Sequence, residues 1–362
     1  MKLETQQKGV AIIGTRARGG IRAVIENHIQ AGVYDGYNHY FITSHDEAGV
    51  ANRLALVLCS LLSLVKLVVL GKISMCHLHG SMKGSIYRKA LFVFVSQLLG
   101  CKVIFHLHGS EFAKTYDNAG RFYQTLVRYI LNRSNHVFVL STYWKAYVDS
   151  ISSNPDIRVI NNFPSPVFED LYEERDFART EITELLFLGY IGQRKGIYDL
   201  VDAVALLKDR GVKGFRITVG GNGEVDNLRT LIANKNLDEY FKVIGWVSGE
   251  QKYELLKKSD LLLLPSHNEG LPIAILEALS SGLAVLSTRV GGIPDAIRDE
   301  RYGLLVEPGQ PVALANAISR YLNTDGLIET VARNARGLYD IVYSSKSNVK
   351  LIRSVIDGLA YT

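Results

Sequence analysis

Short runs of Val, Ile, Leu and Phe alternate along this chain with longer stretches in which apolar positions recur every three or four residues. The short runs predict strands at residues 10–13, 40–43, 74–78, 103–107, 137–140 and 158–160. The periodic stretches between them predict helices at 21–30, 53–70, 87–99, 121–131 and 143–150. Alternation of this kind builds βαβ units around a parallel sheet covered on both faces. Residues 161–183, NNFPSPVFEDLYEERDFARTEIT, break it with two prolines, many charges and no period, and read as an interdomain linker. The pattern then restarts, with strands expected at 184–188, 215–219, 242–244, 261–264, 284–287 and 304–306, and helices at 197–209, 225–234, 250–257, 273–280 and 311–322. The expectation is an α/β protein of two Rossmann-like parallel-sheet domains, 1–170 and 171–345, facing across a cleft. A last helix at 346–362 is expected to pack back toward the first domain. Ligands of open α/β sheets sit at the C-terminal ends of the strands.

The charge distribution changes the picture of the first half. The chain has 362 residues and a net charge of +5, with 18 Lys and Arg against 11 Asp and Glu up to Asp170 and 23 against 25 after it. No acidic residue lies between Glu47 and Glu111, a window holding Arg53, Lys66, Lys72, Lys83, Arg88, Lys89 and Lys102. The same window contains the apolar run LALVLCSLLSLVKLVVL at 54–70. A bilayer span takes roughly 20 apolar residues, and this run is shorter and carries Ser60, Ser63 and Lys66. It reads either as a buried or half-buried helix or as a helix lying on an anionic membrane surface. MKLETQQKGV has no apolar core of a secretory leader, and Cys59, Cys76 and Cys101 have no C-x-x-C spacing. Both features point to reduced, buried thiols in a cytoplasmic protein. Aromatic residues are not interleaved with the basic patch, which argues against nucleic acid.

HLHGS occurs twice, at 77–81 and 106–110. Both copies end predicted strands, so His77 and His79 share one face, as do His106 and His108. A metal would need three or four of these imidazoles at about 2.0–2.1 Å, and no third histidine-rich segment is evident from the sequence. The expected reading is a pair of neighbouring strand ends with hydrogen-bonded histidines, and no metal. The alternative is a metal-dependent hydrolase or binding protein built on His77, His79, His106 and His108.

The second half holds the more specific signals. In FLGYIGQRKG, 187–196, a strand ends at Gly189 and Arg194, Lys195 and Gly196 open a helix. A helix N-terminus with two cations is an anion site. In LPSHNEGLPIAILEALSSGLAVLSTRVGG, 264–292, Glu269 and Glu277 stand eight apart around the turn Gly270, Leu271 and Pro272. Pro272 suits a first helical position. Glu269 is placed in a loop where it can accept hydrogen bonds from sugar hydroxyls. Glu277, inside an otherwise apolar helix, needs a partner. GTRARGG after the first strand does not have the G-x-G-x-x-G spacing of a dinucleotide-binding Rossmann enzyme.

Taken together, RGGIRAV (18–24), HLHGSEF (106–112), INN (160–162), the Gly189-to-RKG stretch, the Glu269–Glu277 pair, GGIPD and YGLLVEPG (302–309) resemble the nucleotide-sugar glycosyltransferases of glycosyltransferase family 4, which have the GT-B fold. The resemblance spans nearly the whole chain. It implies retaining transfer from a UDP- or GDP-linked sugar to a glycan or lipid-linked glycan acceptor in bacterial surface polysaccharide synthesis, without metal or other cofactor. Carried over by position, Lys195 and Arg194 bind the donor diphosphate, Glu269 holds the donor sugar with the backbone N–H groups of Gly270 and Leu271, and Glu277 takes the ribose. Gly20 and Gly189 let backbone approach the donor, and His108 lies beside the sugar. The family usually has an arginine where this chain has Tyr190, and more often Glu where it has Asp295; Arg194 is the nearest substitute cation. Fixed cations facing a departing diphosphate fit a reaction that builds negative charge there.

Overall fold

The computed structural model describes residues 9–17, 19–46, 50–177 and 182–360. Two compact units emerge, one from Met1–Asn162 with Ser345–Thr362 and the other from Phe163–Ser344. The first is built on β1 (Gly9–Thr15), β2 (His39–His45), β3 (Ile73–Gly80), β4 (Lys102–Leu107), β5 (His136–Val139) and β6 (Ile157–Val159), in the order β2-β1-β3-β4-β5-β6. The second is built on β7 (Thr183–Leu188), β8 (Phe215–Gly220), β9 (Phe241–Gly245), β10 (Leu261–Leu264), β11 (Ala284–Thr288) and β12 (Leu304–Val306), in the order β12-β11-β10-β7-β8-β9. Every pairing is parallel. Residues 10–13 and 261–264 are wholly buried, which is why these strands read as continuous apolar runs and not as alternating ones. The chain reverses direction across each sheet between β1 and β3 and between β7 and β10. Such switch points leave a crevice at the carboxyl ends of the strands.

Two expectations need correction. Much of the segment read as a linker packs onto the second unit. Phe163, Phe168 and Leu171 are buried, and the Arg175 guanidinium donates to the carbonyls of Ser281, Ser259 and Leu256 at 2.6–2.7 Å. Residues 178–181 of that segment lie outside the described residues. The apolar run at 54–70 belongs to a 20-residue helix, Val50–Val69, that is part-buried, turning Val57, Ser60 and Leu64 inward. Its stretch Asn52–Val69 is long and apolar enough to cross a membrane, yet only 11% of it is buried. Cys59 on this helix is exposed, unlike Cys76 and Cys101. The helix Ser345–Ala360 packs within the first unit. There the Tyr37 hydroxyl donates to Asp357 at 2.7 Å and the Arg353 guanidinium donates to the Gly32 carbonyl at 2.9 Å.

Candidate active site

In the second unit the candidate residues gather at the β7/β10 switch point. Past β7, Gly189 donates its N–H to the Gly220 carbonyl at 3.0 Å, and the chain turns through Gln193–Lys195 into the helix Ile197–Asp209. Gly196, at φ 71°, caps that helix, and a Cβ there would meet the Pro265 carbonyl oxygen at 1.8 Å. Only glycine lets the loop after β7 lie this close to the loop after β10. The His267 N–H donates to the Arg194 carbonyl at 2.9 Å, and the His267 ring meets Asp199 at 2.6 Å, tying the two loops further.

This closeness brings Lys195 onto Glu269. The ammonium is ion-paired with Glu269 Oε1, which also accepts from the Ser266 hydroxyl at 2.7 Å. Arg194 Nη1 lies 4.0 Å from Glu269 Oε2 and donates to the Asn268 carbonyl at 3.3 Å. Glu269 is buried, so removing one member of the pair leaves a buried charge uncompensated. Gly270 accepts from the Gly292 N–H at 2.7 Å, and Leu271 is buried. Tyr190 stands half-exposed, its ring close against Gly192 and Gly223.

Pro272 is not the first helical residue. At ψ 127° it is extended and precedes the helix Ile273–Ser280. Glu277 on that helix is buried, and the partner its burial demanded is Lys252, from the helix Gly249–Lys258. Lys252 was missed in the sequence, because KYELLKK offers three lysines and nothing local distinguishes the one that faces Glu277. Its ammonium also lies 5.4 Å from the centre of the Phe168 ring, in the segment read as linker.

The remaining candidates, Gly20 and His108, belong to the first unit. Gly20 opens the helix Gly20–Gln30, and a Cβ there meets nothing within 4 Å. The residue whose backbone demands glycine is its neighbour Gly19, at φ 145°. Arg18, at the head of the RGGIRAV stretch, lies outside the described residues. His108 follows β4, donates its N–H to the Gly80 carbonyl at 2.8 Å, and its Nε2 meets His79 Nδ1 at 2.9 Å.

The two HLHGS copies lie on neighbouring parallel strands, as expected, but His77, His79 and His106 are buried in the core. His79 pairs in register with His106, so the β3 and β4 copies share a face, and helix Gly20–Gln30 adds His28 over them. Ring centres are 4.4 Å apart for His77 and His79, 4.1 Å for His106 and His108, and 5.7 Å for His28 and His106. The third histidine segment that the sequence did not reveal is therefore present. Ligand atoms of His28, His77 and His79, and of His79, His106 and His108, approach within 4.8 Å of one another. Burial holds all five imidazoles below their usual range, reinforced by neighbouring rings at His77, His79, His106 and His108, with His28 and His108 at about 3.

The chain is 27% identical over 242 residues to the uncharacterized glycosyltransferase MJ1607 of Methanocaldococcus jannaschii, covering 64% of this chain and 57% of that one. It is 28% identical over 183 residues to the amylovoran biosynthesis glycosyltransferase AmsK of Erwinia amylovora, covering 49% and 45%. The chain thus spans about half the length of these curated relatives. The crystal structure of Anabaena HepE in complex with UDP and glucose superposes with a TM-score of 0.73 at 15% identity over 96% of this chain and 99% of that one. The fold is GT-B, two Rossmann-like units with parallel sheets. Residues 172–338, which hold Lys195, Glu269, Lys252 and Glu277, match the family of glycosyl transferases group 1.

Proposed function

We propose that this protein is a retaining, metal-independent enzyme of glycosyltransferase family 4 that moves a sugar from a UDP- or GDP-linked donor to a glycan acceptor. The observation that carries the reading is the convergence of Lys195, Arg194 and Glu269 at the β7/β10 switch point, with Glu277 on the helix that follows. Two cations there face the departing diphosphate and stabilise its developing charge. Glu269 exchanges part of its pairing with Lys195 for hydroxyls of the donor sugar, aided by the N–H groups of Gly270 and Leu271. Glu277, held by Lys252, accepts from the ribose. His108, kept neutral by burial, hydrogen-bonds the sugar, and at Gly20 and Gly189 the protein backbone approaches the donor. Attack from the face the diphosphate leaves, with its oxygen taking the acceptor's proton, retains the anomeric configuration. HepE was crystallised with UDP and glucose, which supports a nucleotide-sugar donor.

Calorimetry with the bare nucleotide tests the division of roles. Glu269→Ala should lose transfer while keeping most nucleotide affinity. Glu277→Ala should weaken nucleotide binding about tenfold, the scale of one or two hydrogen bonds to a charged group. The reverse pattern would exchange the two assignments.

AmsK is named for amylovoran biosynthesis, which supports surface polysaccharide assembly and a lipid-linked acceptor met at the cytoplasmic face of the membrane. Leu54, Leu58 and Leu62 on Val50–Val69 and Leu91, Phe94 and Leu98 on Gly84–Leu98 are all exposed, amid the seven cations of the acid-free window. An anionic leaflet contributes about 1 kcal/mol per nearby Lys or Arg. The protein should float with anionic liposomes, less at high salt, and less again when Lys66, Lys72 and Lys83 become Glu. Protein that stays at the bottom at low salt would point to a soluble acceptor.

A further inference from the structure

The first unit has its own switch point, between β1 and β3, and a cavity of about 380 Å³ opens there. Its walls come from the ends of β1 (Gly14, Thr15), β2 (Ser44, His45) and β3 (His79, Ser81), and from Arg53, Arg88 and Lys89 on the two helices that carry the exposed apolar side chains. No carboxylate is among the described residues that line it.

Lys89 is the informative residue. It is 2% exposed and has no ion-pair partner among the described residues. Its ammonium donates to the Ile13 carbonyl at 3.2 Å and the Ser44 hydroxyl at 2.5 Å. An ammonium has three donors, so one remains. Burial first, then Arg88, brings its pKa down to about 7. Arg88 is lowered by burial and by Arg53. His45 is lowered by burial, Arg88 and Arg53, with Asp46 opposing. Buried His79 also lines the cavity, and its Nε2 has no hydrogen-bond partner among the described residues. Lys89 is thus a buried cation with no carboxylate partner among the described residues, and an anion entering the cavity would offset the cost of its burial.

We propose that this cavity binds a phosphate or diphosphate group, and that the acceptor of the transfer reaction carries it. The word acceptor rests on the proposed function; the anion site rests on the cavity alone. Arg88 and Arg53 grip the oxygens from the rim, and Lys89 meets them from the floor with its third N–H. The adjoining apolar faces suit an acceptor whose phosphate is borne by a lipid.

The test is titration calorimetry of the full chain with inorganic pyrophosphate, comparing wild type, Lys195→Ala, Arg88→Gln and Lys89→Met, with UDP titrated into each. Pyrophosphate should retain a site in Lys195→Ala that Arg88→Gln weakens about tenfold, as loss of a charged hydrogen bond does, and Lys89→Met should weaken it further. Should Lys89→Met fail to fold, Arg88→Gln, at a part-exposed position, decides. Pyrophosphate binding unaffected by Arg88→Gln, or no binding beyond the site that Lys195→Ala removes, overturns the proposal. UDP affinity unchanged by Lys195→Ala would instead count against the donor assignment and leave the anion site standing. A second arm compares pyrophosphate with dodecyl phosphate in neutral micelles. Tighter binding of the latter, reduced by Phe94→Ser, assigns the phosphate to a lipid, and equal binding assigns it to a soluble acceptor; each requires the Arg88 dependence.

Discussion

Lys195→Ala should lower turnover at saturating donor by ~10²–10³, the typical cost of removing one well-placed electrostatic donor. The ammonium is held at the β7/β10 switch point by an ion pair to Glu269 and by the turn that Gly196 allows. Truncation also leaves Glu269 with the Ser266 hydroxyl and with Arg194 4.0 Å away, so some thermal stability should be lost. Arg194→Ala separates the effects, since its side chain is more exposed than that of Lys195. It should cost activity with little change in melting temperature. If Arg194 stands in for the arginine that the family has where Tyr190 is, the two losses should be of similar size. Turnover undiminished in both variants would remove the phosphate assignment.

Acidification should destabilise the first unit steeply through its five buried histidines. Free histidine titrates near 6.5, whereas His28 and His108 are held at about 3 and His77, His79 and His106 well below their usual range, chiefly by burial. Between those values the unfolded chain binds more protons than the folded one, so stability rises with pH. The stability is present above about pH 6.5 and is lost as pH falls toward the folded values, by up to about 1.4 kcal/mol per histidine per pH unit. Melting curves from about pH 7.5 down to about pH 5 should show this loss. His106→Leu should flatten it, and should hold or raise stability at neutral pH, because both ring nitrogens of His106 lack a hydrogen-bond partner among the described residues. Stability flat over this range, or a loss untouched by His106→Leu, would contradict the account.

The fold was legible where burial on both faces made strands continuous and apolar. All twelve predicted strands are present, and residues 261–264 match β10 end to end. Helix Leu327–Val342 was missed because Thr330, Val331, Gly337 and Ile341 lower its helical propensity; it forms because Val331, Ala335, Leu338 and Tyr339 are buried in the second unit. Tertiary anchoring also explains the misread linker, where the Tyr339 hydroxyl donates to Glu169 at 2.8 Å and Arg336 donates to its carbonyl. At the site, the residue types around Lys195, Glu269 and Glu277 were readable. Lys252 and His28 were not, since each joins its cluster from a distant helix with no local signature.

The most direct test is turnover of UDP-, GDP- and ADP-sugars by the purified chain in excess EDTA, with release of the nucleoside diphosphate as the readout. The account predicts that at least one donor is hydrolysed or transferred with chelator present, and that Lys195→Ala slows the reaction by ~10²–10³. Activity that vanishes in EDTA and returns with zinc would contradict it, and would move the chemistry to the histidines of β3 and β4.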